Sequence, residues 1–101
     1  METNRLMVGE REQMLVQARV GASVRALAGA HGTQQKELAV VLGMSQNAVS
    51  LKLRGRTRWS VADIEKVSAF YGASVEQIQA GPWAWLGLPE APDLGVSNTG
   101  Q

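Results

Sequence analysis

The sequence predicts an all-α fold of five helices, and three observations lead to this prediction. Apolar residues recur at spacings of three and four through most of residues 9–81. A glycine follows each apolar run, and a serine precedes each of the last three runs as a candidate N-cap. The chain has 101 residues and no cysteine, so one modest core must form without disulfides. We therefore expect a single helical domain.

The first helix is predicted to start at Gly9 or Glu10 and to end at Gly32. Its apolar residues form a cluster and then continue at helical spacings: Met14, Leu15, Ala18, Val20, Val24, Leu27, Ala28 and His31. Gly21 lies inside this run and is expected either to bend the helix or to divide it. Residues 1–8 have no clear pattern, so we expect a flexible N-terminal arm.

Two short helical patterns follow, separated by Gly43. In the first pattern Leu38, Ala39 and Leu42 share one face, behind Thr33 as the predicted N-cap. Gly43 suits the left-handed conformation that ends a helix, and Ser45 can cap the next one. This spacing predicts two helices joined by a very tight turn.

The second helix of this pair has an inward and an outward face. If Val49 points inward, the side chains about 100° to 200° away are those of Asn47, Ser50, Leu51 and Arg54. Gln46 lies near the N-terminal end of the same face. Amides, hydroxyls, guanidinium and aliphatic groups are the side chains that read base edges in a major groove.

The charges are distributed unevenly along the chain. The net charge is only +1, but residues 33–58 contain five basic residues and one acidic residue, whereas the remainder contains five basic and eight acidic residues. A basic segment on a slightly acidic body is typical of a phosphate-binding surface.

Residues 33–58 resemble the helix-turn-helix of the phage Cro and repressor group of DNA-binding proteins. The matching pieces are Thr33-Gln34-Gln35, Glu37-Leu38-Ala39, Leu42-Gly43, Ser45-Gln46, Val49 and Arg54-Gly55. The resemblance extends more loosely to Gly81 and implies a five-helix, lambda-repressor-like domain over residues 9–81. It also implies that Gln46, Asn47, Ser50 and Leu51 face the bases and that Gln35 contacts phosphate.

The remaining predicted phosphate contacts are basic residues at the end of the pair: Lys52, Arg54, Arg56 and Arg58. At Lys52 the chain departs from the family, because most members have an inward aliphatic residue there. Lys52 lies about 60° from the inward direction, so its stem can cover apolar surface while its ammonium reaches solvent or phosphate.

Two more helices are predicted after a loop that ends at Trp59. Ser60 with Asp63, and Ser74 with Gln77, have capping-box spacing, and Gly72 and Gly81-Pro82 end the two runs. For Trp59 we expect core packing, with a contact to the DNA backbone as the alternative.

The C-terminal segment, residues 82–101, divides in two. Residues 82–88 are apolar and aromatic, and either form a helix or bring an indole to a partner chain. On the second alternative Trp83, Trp85 and Leu86 are the predicted dimer contact. Residues 89–101 are rich in Pro, Gly, Ser, Asn and Asp, which predicts a disordered tail.

These features predict a sequence-specific regulator of transcription that binds double-stranded DNA as a homodimer. By resemblance it would be a Cro-like phage or bacterial repressor that acts by operator occlusion. The alternative is a protein-interaction module, such as an antitoxin or a subunit of a larger regulator. An enzyme is not expected, since the chain lacks cysteine, paired acidic motifs and a glycine-rich phosphate loop. We expect no metal at His31, no cofactor and a cytoplasmic location.

Overall fold

A computed structural model describes the backbone of residues 2–86 and the side chains of residues 9–85, and this part of the chain is all-helical. Its helices are α1 (Glu2–His31), α2 (Gln35–Leu42), α3 (Gln46–Leu53), α4 (Val61–Tyr71), α5 (Val75–Ala80) and α6 (Pro82–Leu86). The all-α prediction is confirmed, and all five predicted helices form. The sixth helix arises from the tryptophan-containing segment, where a helix was one of two alternatives. The predicted disordered tail lies outside the described residues.

Helix α1 is longer than predicted and is not divided. Its backbone is helical from Glu2, so the predicted start at Gly9 or Glu10 was wrong, and a helix runs where an arm was expected. Residues 2–8 contain neither proline nor glycine, so no helix breaker precedes Gly9. The helix also continues through Gly21 without interruption.

The core lies between the second half of α1 and the other helices. Its fully buried members are Val20 and Val24 from α1, Leu38 and Leu42 from α2, Val49 from α3, Val67 from α4 and Ile78 from α5. The α1 cluster nearer the N-terminus does not belong to this core, since Met14 is 70% exposed and Leu15 is 39% exposed. Helical spacing identifies an apolar face, but it does not show how far along that face the other helices reach.

The turn between α2 and α3 forms as predicted. Gly43 has a φ of 70°, in the left-handed region, and its N–H donates to the Val40 carbonyl at 3.2 Å. Ser45 then caps α3, since its hydroxyl accepts the Ala48 N–H at 3.1 Å. The C-cap of α2 and the N-cap of α3 thus lie only two residues apart.

The N-cap of α2 is Gln34, and the prediction of Thr33 was wrong by one residue. The Gln34 N–H donates to Glu37 Oε1 at 2.8 Å, which fixes the register of the first turn. The Thr33 N–H instead donates to the Ala28 carbonyl at 2.8 Å, so Thr33 closes the end of α1.

Helices α4 and α5 begin with the predicted capping boxes. Ser60 Oγ accepts the Asp63 N–H at 3.0 Å, and Asp63 Oδ2 accepts the Ser60 N–H at 2.9 Å. Ser74 and Gln77 make the equivalent pair of bonds. Helix α5 is tied to α1 by the buried Ser23 hydroxyl, which donates to the Ile78 carbonyl at 2.8 Å.

Replacing Gly43 with alanine should destabilise the domain by about 1 to 2 kcal/mol, because an L side chain is strained in the left-handed region. Gly29 is the matched control: it lies within α1, and a Cβ there would have no neighbour within 4 Å. Gly29→Ala should stabilise the domain by about 0.5 to 1 kcal/mol. Urea unfolding monitored by circular dichroism measures both. Changes of the same sign would contradict the role assigned to the Gly43 turn.

Candidate nucleic-acid interface

Helix α3 has one face fixed against the protein and one face open to solvent. Of its eight residues, all of them described, Val49 alone is buried, and it lies in the core with Leu38 and Leu42. Helices α1 and α2 both pack on α3. Because Val49 fixes the rotation of so short a helix, the residues opposite it must face outward.

The side chains predicted to read bases lie on this outward side. Gln46 and Asn47 are exposed, and Ser50 and Leu51 are half-buried. Within the described part of the chain, the amides of Gln46 and Asn47 take part in no hydrogen bond. Their donors and acceptors are therefore available to a ligand.

Gln35 is also exposed, at the first position of α2. The backbone N–H groups at the start of a helix carry partial positive charge and attract phosphate. The N-cap of α2 is one residue later than predicted, but Gln35 still lies in the first turn of the helix. The predicted phosphate contact requires Gln35 to lie in that turn.

The basic loop, which we define as residues 54–58, follows α3 directly. Arg54, Arg56 and Arg58 are all exposed. Gly55 has a φ of 78°, and the Arg56 N–H donates back to the Leu51 carbonyl at 2.8 Å. The chain turns sharply here, and three guanidinium groups lie beside the C-terminal end of the outward face.

Lys52 is not placed for the phosphate contact predicted for it. Its ammonium lies 2.9 Å from Asp63 Oδ2, and its side chain is only 13% exposed. The ammonium also donates to the Arg58 carbonyl and lies 5.9 Å from the centre of the Trp59 ring. The predicted 60° offset from the inward direction agrees with this position, but the end of the side chain is directed into the protein rather than toward a ligand.

Asp63, the partner of Lys52, has an altered acidity. Burial by itself raises the pKa of Asp63, but hydrogen bonds from the Ser60 backbone, the Lys52 ammonium and the Ser60 hydroxyl, with the Lys52 charge, outweigh it. The pKa of Asp63 therefore lies below its ordinary value, and the carboxylate is ionised at neutral pH.

Trp59 closes the core beneath the basic loop, as predicted. The residue is 3% exposed and belongs to the main apolar cluster. Gly21 lies beneath the indole, and a Cβ on Gly21 would lie 3.6 Å from Trp59 Nε1, at ordinary contact distance. The glycine inside α1 therefore marks where Trp59 packs on this helix, and it does not divide the helix.

Two α1 residues that sequence reasoning missed bond to the end of α3 and to Trp59, which follows the basic loop. Gln17 makes two hydrogen bonds with the Trp59 backbone, donating to its carbonyl at 2.9 Å and accepting its N–H at 2.6 Å. Arg25 donates to the carbonyl of Leu53, the last residue of α3. With Gly21, these residues form a stripe at intervals of four along α1. The available signal was this series of polar, small and polar residues at intervals of four, set among the apolar residues of the second half of α1.

The α6 indoles pack on their own chain. Trp85 Nε1 donates to the Gln77 carbonyl at 2.8 Å. A Cβ on Gly81 would lie 2.7 Å from a Trp83 ring carbon and 3.3 Å from Arg19 Cγ, so both side chains close over Gly81. Both indoles remain half-buried. The Leu86 side chain lies outside the described residues, and the dimer contact stays a prediction.

Other kinds of site find no support in the described residues. No group of three or more His, Cys, Asp or Glu side chains among them is placed to hold a metal ion. His31 instead packs against Tyr71, with ring centres 5.1 Å apart and ring planes tilted by 40°. None of the described helices combines the length and apolar character needed to cross a membrane.

The tight α2–α3 pair, with its outward polar face, defines a helix-turn-helix protein. A model of the helix-turn-helix domain family matches residues 19–80, more than half of the chain. The chain belongs to this family, whose fold indicates a DNA-binding regulator. No curated protein and no solved structure matches the chain.

The Asp63 carboxylate should make stability depend on pH. Its pKa is lower in the folded chain than in the unfolded chain, so ionisation stabilises the fold. This contribution is complete above the unfolded pKa of about 4 and is lost as the pH falls through the folded pKa. Asp63→Asn should therefore be less stable than wild type at pH 7, and the difference should shrink as the pH drops below about 4. Urea unfolding between neutral and acidic pH measures the difference, and a constant gap would contradict this assignment.

Proposed function

We propose that this protein is a sequence-specific regulator of transcription that binds double-stranded DNA. The observation that carries the proposal is the pairing of an open, polar α3 face with three exposed arginines directly after it. A helix about 10 to 12 Å across fits the major groove. The basic loop then lies where the sugar-phosphate backbone borders that groove.

Sequence choice is assigned to the outward face of α3. Gln46 and Asn47 carry amides that can pair with adenine through two hydrogen bonds, and their lack of partners within the described chain supports this role. Ser50 can bond to a base edge, and the Leu51 side chain can contact a thymine methyl group.

Affinity and register are assigned to the phosphate contacts. Gln35 lies at the start of α2, and Arg54, Arg56 and Arg58 lie on the basic loop, at the opposite end of the helix pair. Contacts at the two ends would fix the angle of α3 in the groove without reading sequence. Lys52 is omitted from this set because of its ion pair with Asp63.

We further propose that the protein binds as a homodimer and represses transcription in the manner of Cro, by excluding polymerase or a competing regulator from its operator. One helix-turn-helix reads only a few base pairs, and dimers of this class read two half-sites. The α6 surface of Trp83, Trp85 and Leu86 is the proposed contact, supported by indoles that are only half-buried in one chain.

Selection of bound sequences from a random pool of duplexes tests this function. A two-fold symmetric consensus is expected, since the symmetry of the half-sites mirrors that of the dimer. Recovery of no consensus at physiological salt would overturn sequence-specific binding. A single unrepeated half-site would overturn the dimer and leave DNA recognition standing.

Substitutions should separate the two kinds of contact. Arg56→Ala should weaken binding to all duplexes and reduce the slope of log K against log salt by about one, because one phosphate contact is lost. Gln46→Ala should cost about 1 to 3 kcal/mol at the base pair it reads and leave nonspecific binding unchanged. Fluorescence anisotropy over a salt series measures both quantities.

Arg11→Ala is the charge-matched control for Arg56→Ala, because Arg11 is an exposed arginine of α1 and belongs neither to the α2–α3 pair nor to the basic loop. It removes the same charge and should leave the salt slope unchanged. If Arg56→Ala and Gln46→Ala lowered specific and nonspecific binding equally, the division between phosphate and base contacts would be wrong.

A further inference from the structure

The basic loop is not packed closely against α1, so other contacts must hold its arginines in position. An open cleft of about 570 Å³ separates the loop from α1. Its lining includes Met14 and Gln17 on one side and Arg56, Thr57 and Arg58 on the other. Packed side chains do not fill this space, so the position of the loop depends on bonds near its ends.

The bonds at the far end of the loop converge on Lys52. Its ammonium joins the Arg58 carbonyl to the Asp63 carboxylate, and it lies above the Trp59 ring. One cation thus links the last turn of α3, the end of the basic loop and the first turn of α4. Gln17 supplies a second anchor, to the Trp59 backbone.

We propose that Lys52 is a positioning residue for DNA binding: through Asp63 it holds the basic loop in the conformation that presents Arg56 and Arg58 to phosphate. This inference rests on the proposed function. It differs from the direct phosphate contact that the sequence predicted, because Lys52 acts through the Arg58 backbone and does not touch the ligand.

The direction in which one substitution changes the affinity for DNA distinguishes positioning from direct contact. A carboxylate near a DNA-binding surface repels phosphate, and Asp63 also holds the Lys52 ammonium away from a ligand. On electrostatics alone, neutralising Asp63 would therefore strengthen binding to DNA. If Lys52 is instead a positioning residue, neutralising Asp63 loosens the ammonium and the loop, and binding weakens.

Asp63→Asn provides this test, because asparagine keeps the shape and retains an oxygen that can accept the Ser60 N–H. We expect affinity for a selected duplex to fall about 3-fold to 10-fold. Glu65→Gln, at an exposed acid of the same helix, removes the same charge and should not weaken binding. Stronger binding by Asp63→Asn, in protein shown to be folded by circular dichroism, would overturn the proposal.

A second test uses the arginines themselves. Lys52→Met keeps most of the apolar stem and removes the ammonium; it should weaken binding by a similar factor, and Lys52→Arg should restore most of the loss. In an Arg56→Ala/Arg58→Ala background, Lys52→Met should have less than about a 2-fold further effect, since residues that act as one unit are not additive. The same fold loss in both backgrounds would show a direct contact and overturn positioning. Lys66→Met, at an exposed lysine of α4 outside the basic segment, is the charge-matched control.

Amide hydrogen exchange without DNA separates this inference from the proposed function. Lys52→Met and Asp63→Asn should both speed exchange in a peptide covering residues 54–59 and leave α5 unchanged. Unchanged exchange in that peptide would overturn loop positioning even if DNA affinity fell. If wild type showed no preference among duplexes, the proposed function would fail, whereas the exchange result would still report on the loop.

Discussion

The burial of Val49 is the constraint on which the outward surface of α3 depends. Helix α3 has eight residues, and this one side chain enters the core. A helix so short has little stability in isolation, so its packing against α1 and α2 determines both its presence and its rotation. Once Val49 is inside, Asn47, Ser50 and Leu51 can only face outward or sideways. The choice of residues that meet a ligand therefore follows from one apolar contact.

Cationic side chains donate hydrogen bonds to carbonyl groups at the C-terminal ends of both α2 and α3. Lys66 donates to the Leu42 carbonyl at the end of α2, and Arg25 donates to the Leu53 carbonyl at the end of α3. Each end of a helix leaves carbonyls without partners and carries partial negative charge, so these contacts favour the helix ends. The basic residues of this protein therefore fall into two groups. Arg25 and Lys66 stabilise helix ends. The arginines of the basic loop remain on the surface.

Most local hydrogen bonds were predictable from the sequence, the cap of α2 being the exception, whereas long-range ones were not. The caps at Ser45, Ser60 and Ser74 and the turn at Gly43 depend on residues three or four apart, and these predictions are confirmed. Lys52 and its partner Asp63 are 11 positions apart in the sequence. From its residue type, a cation in a basic segment was expected to reach outward. Gln17 and Trp59 are farther apart still. The position of a polar residue within a helical pattern does not show which distant residue it will bond to. The candidate base-reading residues were found because one buried valine fixes a helical face, and their contact with DNA remains a proposal.

The bond between Gln17 and Trp59 spans 42 positions of the chain. Helices α2 and α3 are neighbours in sequence and can meet early in folding, but closing a loop of that length is slower and entropically more expensive. During synthesis, a nascent chain that has emerged as far as Leu53 already contains the whole α2–α3 pair and lacks Trp59. The basic loop would accordingly reach its final position only after α3 is complete, when the ribosome has released Trp59.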